Sequence, residues 1–399
     1  MSTSAEMDEY FRDVVQDLEN RMNDPDTSSR EKVKKVLNQF NNPQDDQRTV
    51  LVAGTNGKGS TVEMITEALR SNGHDVGTFK SPHLVSLRER IKYNQEMISK
   101  EAFLNIYEEL EKVKAKLSFF EFMTAAGYIY FSERDVDYAV VEVGVGGKED
   151  ATNVVQNEVS VLTNLGFDHE EYLGKSKKEI ASQKLGVLEE NSVLVTEVER
   201  DYLKDAEKLK ADIQRPKRVE EENGEFIFNN ERFSIPVEGV FQRKNLENAL
   251  EAVKVIDKVP EDLQKTFGDL KCPGRMEIVS ESIPYIHDGA HNPHALRTVL
   301  DELPEDFHCI FSATKKKKVS EMIEILEEKA SKFYFTRSDV DWCIAPEEMA
   351  EHCSTEFECF DNPREAESKA VENSNNSPVV ATGSLYLIGN LKNFNRVDL

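Results

Sequence analysis

The sequence predicts an α/β protein of two domains, a larger one built on a mainly parallel sheet followed by a smaller one of the same kind. Three observations predict it. From residue 51 to about 200, near-continuous apolar strands alternate with helical stretches, as happens when helices cover both faces of a parallel sheet. A glycine-rich loop joins one of those strands to one of those helices. Beyond Lys271-Cys272-Pro273-Gly274-Arg275, which reads as a linker, the alternation begins again, so the expected domains are residues 1–270 and 271–399.

Residues 6–40 read as two amphipathic helices separated by Asn23-Asp24-Pro25-Asp26, and Asn42-Pro43-Gln44 turns the chain into the first strand. That strand, Leu51-Val52-Ala53, ends in Gly54-Thr55-Asn56-Gly57-Lys58-Gly59-Ser60-Thr61, and a helical stretch, Val62-Glu63-Met64-Ile65-Thr66-Glu67-Ala68-Leu69, follows. Strand, glycine loop and helix form a phosphate cradle. Glycines let backbone N–H groups approach the phosphates, the helix N-terminus favours anions, and Lys58 neutralises β/γ charge. A nucleoside triphosphate is the expected ligand. The loop departs from the common pattern, which sets a Mg²⁺-holding hydroxyl directly after the lysine. Gly59 stands there instead and the hydroxyl arrives one residue late, at Ser60. A metal ligand must come from elsewhere.

Three polar clusters follow predicted strands, where open parallel sheets place their ligands. Ser81-Pro82-His83-Leu84 comes after Val76-Gly77-Thr78-Phe79. Glu142 lies near the end of the strand that starts at Val136, just before the glycine turn Gly144-Val145-Gly146-Gly147. Asp168-His169 comes after the strand Val159-Ser160-Val161-Leu162-Thr163-Asn164-Leu165. A carboxylate at such a strand end is placed to hold Mg²⁺. Serine and imidazole also ligate divalent cations, imidazole less usually for Mg²⁺. Taken singly, each cluster has a plainer reading: a turn cap, a surface charge, a local Asx turn.

Residues 201–235 are polar, with a hairpin expected at Glu225-Phe226-Ile227-Phe228-Asn229-Asn230-Glu231-Arg232-Phe233, and a helix is expected from about 244 to 257. In the second domain, strands are expected at Pro284-Tyr285-Ile286-His287, His308-Cys309-Ile310-Phe311-Ser312, Phe333-Tyr334-Phe335 and Pro378-Val379-Val380-Ala381-Thr382, with helices from 294 and 319.

Of 399 residues 39% are apolar and 31% charged, a globular composition; 75 acidic against 50 basic residues leave a net charge of −25. That balance argues against non-specific nucleic-acid binding and against anionic membrane surfaces, so neither is an expected partner. An anionic substrate must be drawn in by a local cationic site. Five cysteines without a C-x-x-C pair fit reduced thiols. With no signal-like N-terminus and no stretch near the ~18–20 apolar residues of a membrane span, a cytoplasmic protein is expected.

Nine strings stand in one order. They are Gly54–Thr61, Ser81-Pro82-His83-Leu84, Phe120-Glu121, Gly146-Gly147 with Asp150-Ala151-Thr152-Asn153, Asp168-His169, Ile180-Ala181 with Lys184, Pro273-Gly274-Arg275, Asp288-Gly289-Ala290-His291-Asn292-Pro293, and Thr382-Gly383-Ser384. Together, over roughly residues 40 to 390, they resemble folylpolyglutamate synthase and dihydrofolate synthase of the Mur ligase superfamily. The resemblance implies a P-loop ATP-binding domain followed by a Rossmann-like glutamate-ligase domain. It further implies an ATP-dependent ligase that phosphorylates a folate γ-carboxylate to an acyl phosphate, which the amino group of L-glutamate then attacks. Whether dihydropteroate is also a substrate stays open, and a monomer is implied.

Carried over by residue, Gly54, Thr55, Asn56, Gly57, Lys58, Gly59 and Ser60 would hold ATP. Ser81 and Glu142 would ligate one Mg²⁺ and His169 a second. Lys184 matches the lysine that the family carbamylates. A bare ammonium ~4 Å from a divalent ion costs on the order of 8 kcal/mol at an effective dielectric of ~20, and carbamylation replaces that positive charge with a negative one. Arg275 and Asp288 would serve nucleotide and acyl phosphate, and His291 would lie beside the intermediate or the incoming glutamate. On the adenine side Asn245 is the choice, if Phe241 replaces the family's His or Tyr; Asn248 is the alternative. Lys80 stands where the family usually has threonine, and Lys148-Glu149 also departs from its pattern. Lys315-Lys316-Lys317-Lys318 reads as a solvated loop or as an attraction for a polyglutamate tail. A Mur-type ligase acting on another carboxylate fits the Ser-Pro-His-Leu and Asp-Gly-Ala-His-Asn-Pro strings less well. A non-catalytic nucleotide-binding module predicts loss of Lys58, Glu142 or His169, and all are present.

Overall fold

Residues 4–23, 29–237, 239–280 and 284–392 are described by the structure, a computed structural model. The chain divides into two units. One comprises residues up to Pro236 with Arg243–Leu270, the other Val237–Gln242 with the residues from Lys271 onward.

The first unit opens with α1 (Ser4–Asn20) and α2 (Arg30–Asn38). Phe11, Val14, Val15 and Leu18 are buried at the spacing of one helical face. Of the breaker expected between these helices, Asn23 ends a short 3-10 turn and residues 24–26 lie outside the described residues. Strand β1 (Arg48–Ala53) leads through the glycine loop into α3 (Lys58–Ser71). There follow β2 (Val76–Phe79), β3 (Ile91–Tyr93), β4 (Glu96–Met97), α4 (Lys100–Lys112), α5 (Phe119–Glu133), β5 (Tyr138–Glu142) and β6 (Asn157–Leu162). Then come α6 (Glu170–Leu173), α7 (Lys177–Leu185), β7 (Val193–Thr196), α8 (Lys204–Lys208) and β8 (Asp212–Gln214). These eight strands form one sheet in the order β4-β3-β2-β5-β1-β6-β7-β8. It is parallel from β2 through to β8 and antiparallel only at the β2–β3–β4 edge. Val50, Leu51, Val52 and Ala53 are completely buried, as expected of a strand covered on both faces.

A small antiparallel sheet of β9 (Glu220–Glu222), β10 (Glu225–Phe228) and β11 (Glu231–Phe233) contains the expected hairpin. Helices α9 (Val240–Ile256) and α10 (Leu263–Phe267) follow. The capping box of α5 accounts for the glutamate of Phe120-Glu121. Glu121 is fully buried and accepts hydrogen bonds from Ser118 N (2.8 Å), Ser29 N (2.8 Å) and Lys32 Nζ (3.0 Å), which fastens α2 to α5.

The second unit holds β12 (Glu277–Ser280), β13 (Tyr285–His287), α11 (Pro293–Leu300), β14 (Phe307–Phe311), α12 (Val319–Leu326) and β15 (Ala330–Thr336). It continues with α13 (Pro346–Ala350), β16 (Glu356–Phe360), α14 (Pro363–Asn373), β17 (Val379–Thr382) and α15 (Leu385–Lys392). Its six-stranded sheet runs β12-β13-β17-β14-β15-β16, parallel except for β12 against β13. A separate apolar core fills it, centred on Phe307, Phe311, Met322, Ile323, Phe333 and Phe335. No helix among the described residues is long and apolar enough to cross a membrane.

Candidate active site

Strand β1 lies between β5 and β6. The loop after β1, Glu142 as the last residue of β5, and Thr163-Asn164 just past β6 therefore leave one edge of the sheet together. Ligands of open α/β sheets bind at such a point, where successive crossovers go to opposite sides.

The loop takes its shape from the end of β6. Thr163 Oγ1 and Asn164 Nδ2 both donate to Asn56 O (2.7 and 2.9 Å), and Asn164 Oδ1 accepts from Asn56 N at 3.0 Å. Thr55 Oγ1 donates to Gly166 O and accepts from Gly166 N. Two glycines are required here. Gly54 has φ 152°, and a Cβ on it would lie 1.9 Å from Thr163 Oγ1; Gly57 has φ 80°, and a Cβ there would lie 2.3 Å from Asn245 Oδ1. Asn245 thus faces the loop, whereas Asn248 turns its Nδ2 onto Lys244 O of its own helix at 2.9 Å. Ser60 is buried in the first turn of α3, and Thr61 Oγ1 donates back to Gly57 O.

Cations converge on the loop. Lys58 Nζ donates to Gly54 O (3.3 Å) and Thr55 O (3.2 Å) and lies 4.0 Å from Glu142 Oε1. Lys184, from α7 and 4% exposed, donates to the same Gly54 O at 2.8 Å. Burial first, and the neighbouring Lys58 charge second, push its ammonium down to about 7, with Asp168 and Asp150 opposing. A lysine that sheds its proton near neutrality is a nucleophile as well as a cation.

Glu142 is 5% exposed, and its Oε2 accepts the Ser81 N–H at 3.1 Å. A Cβ on Gly59 would sit 3.4 Å from that same oxygen. The carboxylate therefore lies beside the position where the common loop carries its hydroxyl. Lys58, Gly59, Ser81 and Glu142 are thereby brought together. Two further contacts hold the Ser81 segment: Arg90 Nε donates to His83 Nδ1 (2.8 Å), and Lys80 pairs with the buried Glu63. Desolvation first and Arg90 second hold His83 well below the usual histidine range.

His169 starts α6 in a left-handed conformation (φ 51°). Its N–H donates to Asp168 Oδ1 at 3.0 Å, its ring Nε2 is 4.0 Å from Asp168 Oδ2, and its side chain is 38% exposed. The aspartate thus binds the N–H of the next residue, not the one two residues on as in an Asx turn, and the imidazole beside it is accessible. No group of three or more His, Cys, Asp or Glu side chains gathers as a metal cage among the described residues. A cation at Glu142 would be completed by hydroxyl, phosphate and water oxygens, which is the ordinary surrounding of Mg²⁺.

Asp150 and Asn153 shape the segment that packs on α7. Asp150 is buried and accepts from Val145 N (2.8 Å), Thr152 N (3.0 Å) and Thr152 Oγ1 (2.6 Å). Asn153 Nδ2 donates to Gly147 O and Gly186 O, next to Lys184.

In the second unit Asp288 follows β13, buried, and accepts from Met276 N and Ala290 N, both at 2.8 Å. Burial raises its carboxyl, and Arg275 leads the groups that oppose the rise. A Cβ on Gly289 would come within 3.1 Å of an Arg275 guanidinium nitrogen, and His291 Nδ1 lies 2.9 Å from Gly289 O. Arg275, Asp288 and His291 thus gather around Gly289. His287 is buried edge-on to Tyr285, with no hydrogen-bond partner on either ring nitrogen; burial drives it down to about 4, so it is a neutral packing residue. Thr163, Asn164 and Glu63 were legible only as strand and helix residues. The signal available for the first two was a pair of hydrogen-bonding side chains directly after an apolar strand.

The sequence matches the Mur ligase middle domain over residues 52–256 and the Mur ligase glutamate ligase domain over residues 274–385. It is 30% identical over 403 residues to the folylpolyglutamate synthase of Lacticaseibacillus casei, covering 90% of this chain and 93% of that one. It is 29% identical over 401 residues to the dihydrofolate synthase/folylpolyglutamate synthase of Bacillus subtilis, with the same coverage. The fold superposes with a TM-score of 0.87 on Escherichia coli FolC in complex with DHPP and ADP, at 25% identity and over 96% of each chain.

Proposed function

The chain belongs to the folylpolyglutamate synthase/dihydrofolate synthase family of the Mur ligase superfamily, and from that premise we propose how its own residues carry the reaction. It is an ATP-dependent amide ligase that adds L-glutamate to the γ-carboxylate of a folate. The carboxylate takes the γ-phosphoryl group of ATP, giving an acyl phosphate and ADP. The glutamate amine then forms the amide bond, phosphate leaves with the electrons of the C–O bond, and the nitrogen releases a proton. Charge neutralisation and close placement of two anionic reactants are the main requirements.

The N–H groups of Gly54 through Ser60 and the N-terminus of α3 receive the triphosphate. Lys58 moves its ammonium from the loop carbonyls to the β/γ-phosphates. Ser81 and Glu142 would hold one Mg²⁺ and His169 a second, and the ions would supply the positive charge that the transferring phosphoryl group requires. Asn245 serves the adenine side. Lys184 reacts with CO₂ to a carbamate, its nitrogen forming the N–C bond and losing a proton. Its position on Gly54 O beside Lys58 supports this, because the change turns a repelled cation into an anion. Arg275, Asp288 and His291 serve phosphate and glutamate. The enzyme works as a cytosolic monomer.

Glu142 carries the reading: a buried carboxylate stands against Gly59, where the loop lacks its metal-holding hydroxyl. The test is ATP-dependent incorporation of labelled glutamate, run with tetrahydrofolate and with dihydropteroate. Incorporation with tetrahydrofolate alone means a dedicated polyglutamate synthase, and with both a bifunctional enzyme. Incorporation with neither, while ATP still binds, rejects the substrate assignment.

A further inference from the structure

Glu63 is a carboxylate buried in the phosphate-loop helix, its side chain 3% exposed, and it gathers two lysines. Lys80 pairs with it, Lys92 Nζ lies 3.1 Å away, and Gln95 Nε2 donates to its second oxygen at 2.5 Å. Burial alone would raise this carboxyl, but Lys80 and then Lys92 outweigh it and hold the group down to about 2, so it is an anion at any working pH.

Its place on α3 matters. Glu63 is four residues after Gly59 and therefore on the same helix face, the face that meets Glu142. Lys80 is the residue directly before Ser81. Its own N–H donates to Arg90 O at 3.0 Å, and Arg90 in turn holds His83. Ser81 is thus flanked by one anchor to α3, through Lys80, and one to Arg90, through His83, while its N–H binds Glu142.

We propose that Lys80, through its ion pair with Glu63, is a positioning residue that holds the Ser81 segment against the phosphate-loop helix at the spacing a divalent cation needs. The inference rests on the reading of Ser81 and Glu142 as the cation's ligands. A purely structural role, neutralising a buried carboxylate, would fall equally to Lys92, which shares Glu63 but belongs to β3. The two lysines are therefore the discriminating pair.

The experiment measures Mn²⁺ binding to the ADP-bound protein by electron paramagnetic resonance, with ADP affinity in EDTA measured by calorimetry. Proteins compared are wild type, Lys80→Met, Lys80→Arg, Lys92→Met and Glu142→Gln. Removal of a partner that orients a metal ligand typically weakens metal binding by about ten-fold or more. That loss is expected for Lys80→Met, with metal-free ADP affinity unchanged, largely restored in Lys80→Arg and absent in Lys92→Met. Equal losses in Lys80→Met and Lys92→Met, or a parallel loss of metal-free ADP binding, reduce Lys80 to a structural residue and overturn the inference. Unchanged Mn²⁺ binding in Lys80→Met, with loss in Glu142→Gln, overturns it while sparing the metal site. Unchanged binding in Glu142→Gln overturns the metal assignment itself, and the inference with it.

Discussion

Replacing Lys184 by methionine should stabilise the first unit while abolishing ligation. The side chain is 4% exposed, and its ammonium is pushed from 10.5 to about 7. At pH 7 the unfolded chain binds this proton fully and the folded one only about half, so folding carries a penalty of about 4 kcal/mol relative to a neutral group. Methionine matches the stem in length and carries no charge. It forfeits the hydrogen bond to Gly54 O, worth about 1 kcal/mol, which leaves a net gain of about 3 kcal/mol. Because the folded value lies below the unfolded one, the penalty is complete below about pH 7 and fades as pH rises toward 10.5. The wild type should therefore gain on the variant by about 1.4 kcal/mol per pH unit through that window. Urea unfolding of both proteins in CO₂-free buffer from pH 6 to 10 measures the difference. Added bicarbonate should raise the stability of the wild type alone. Parallel pH curves, or a variant less stable than wild type at pH 7, would refute the reasoning.

Lys58→Ala should abolish ATP turnover and leave the fold intact by circular dichroism; retained turnover removes the phosphate-loop assignment. In Gly57→Ala the left-handed φ of 80° costs about 1–2 kcal/mol and the new methyl strikes Asn245 Oδ1. Calorimetry should then find nucleotide binding lost in a protein that still folds, and normal affinity would mean that the loop rearranges freely. For Glu142→Ala the Mg²⁺ concentration giving half-maximal rate should rise at least about ten-fold, and an unmoved titration would discard the residue as a ligand. Lys184→Ala should regain activity with added acetate or propionate, whereas Glu142→Ala should not; no rescue would count against the carbamate.

Much of the site was legible because its parts are local. The glycine loop announces itself by strand, glycines, lysine and helix, and Glu142 by its place at a strand end. Other parts were not. Lys80 appeared only as a departure from the family pattern, and Glu63 as one residue of a helix; their pairing depends on β2 lying beside α3. Asn245 was preferred to Asn248 in sequence only through a family pattern that Phe241 breaks, and the two stand three residues apart on one helix. Which of them meets Gly57 depends on how α9 is rotated about its axis. Glu121 read as part of a family string, and its work proved to be a capping box that fastens α2.

By itself the sequence determined the class of fold, the elements that carry the site and the chemistry available to them, since hydrophobic period and turn chemistry are properties of neighbouring residues. Only the tertiary structure decided that β1 lies between β5 and β6, which brings residues 54–60, 142 and 163–164 to one edge. It alone decided that Lys184 is buried on Gly54 O beside Lys58. The physical reason is that burial and electrostatic environment depend on groups distant along the chain. The low proton affinity of Lys184 arises from desolvation and from a second ammonium 126 residues away, which no local pattern records.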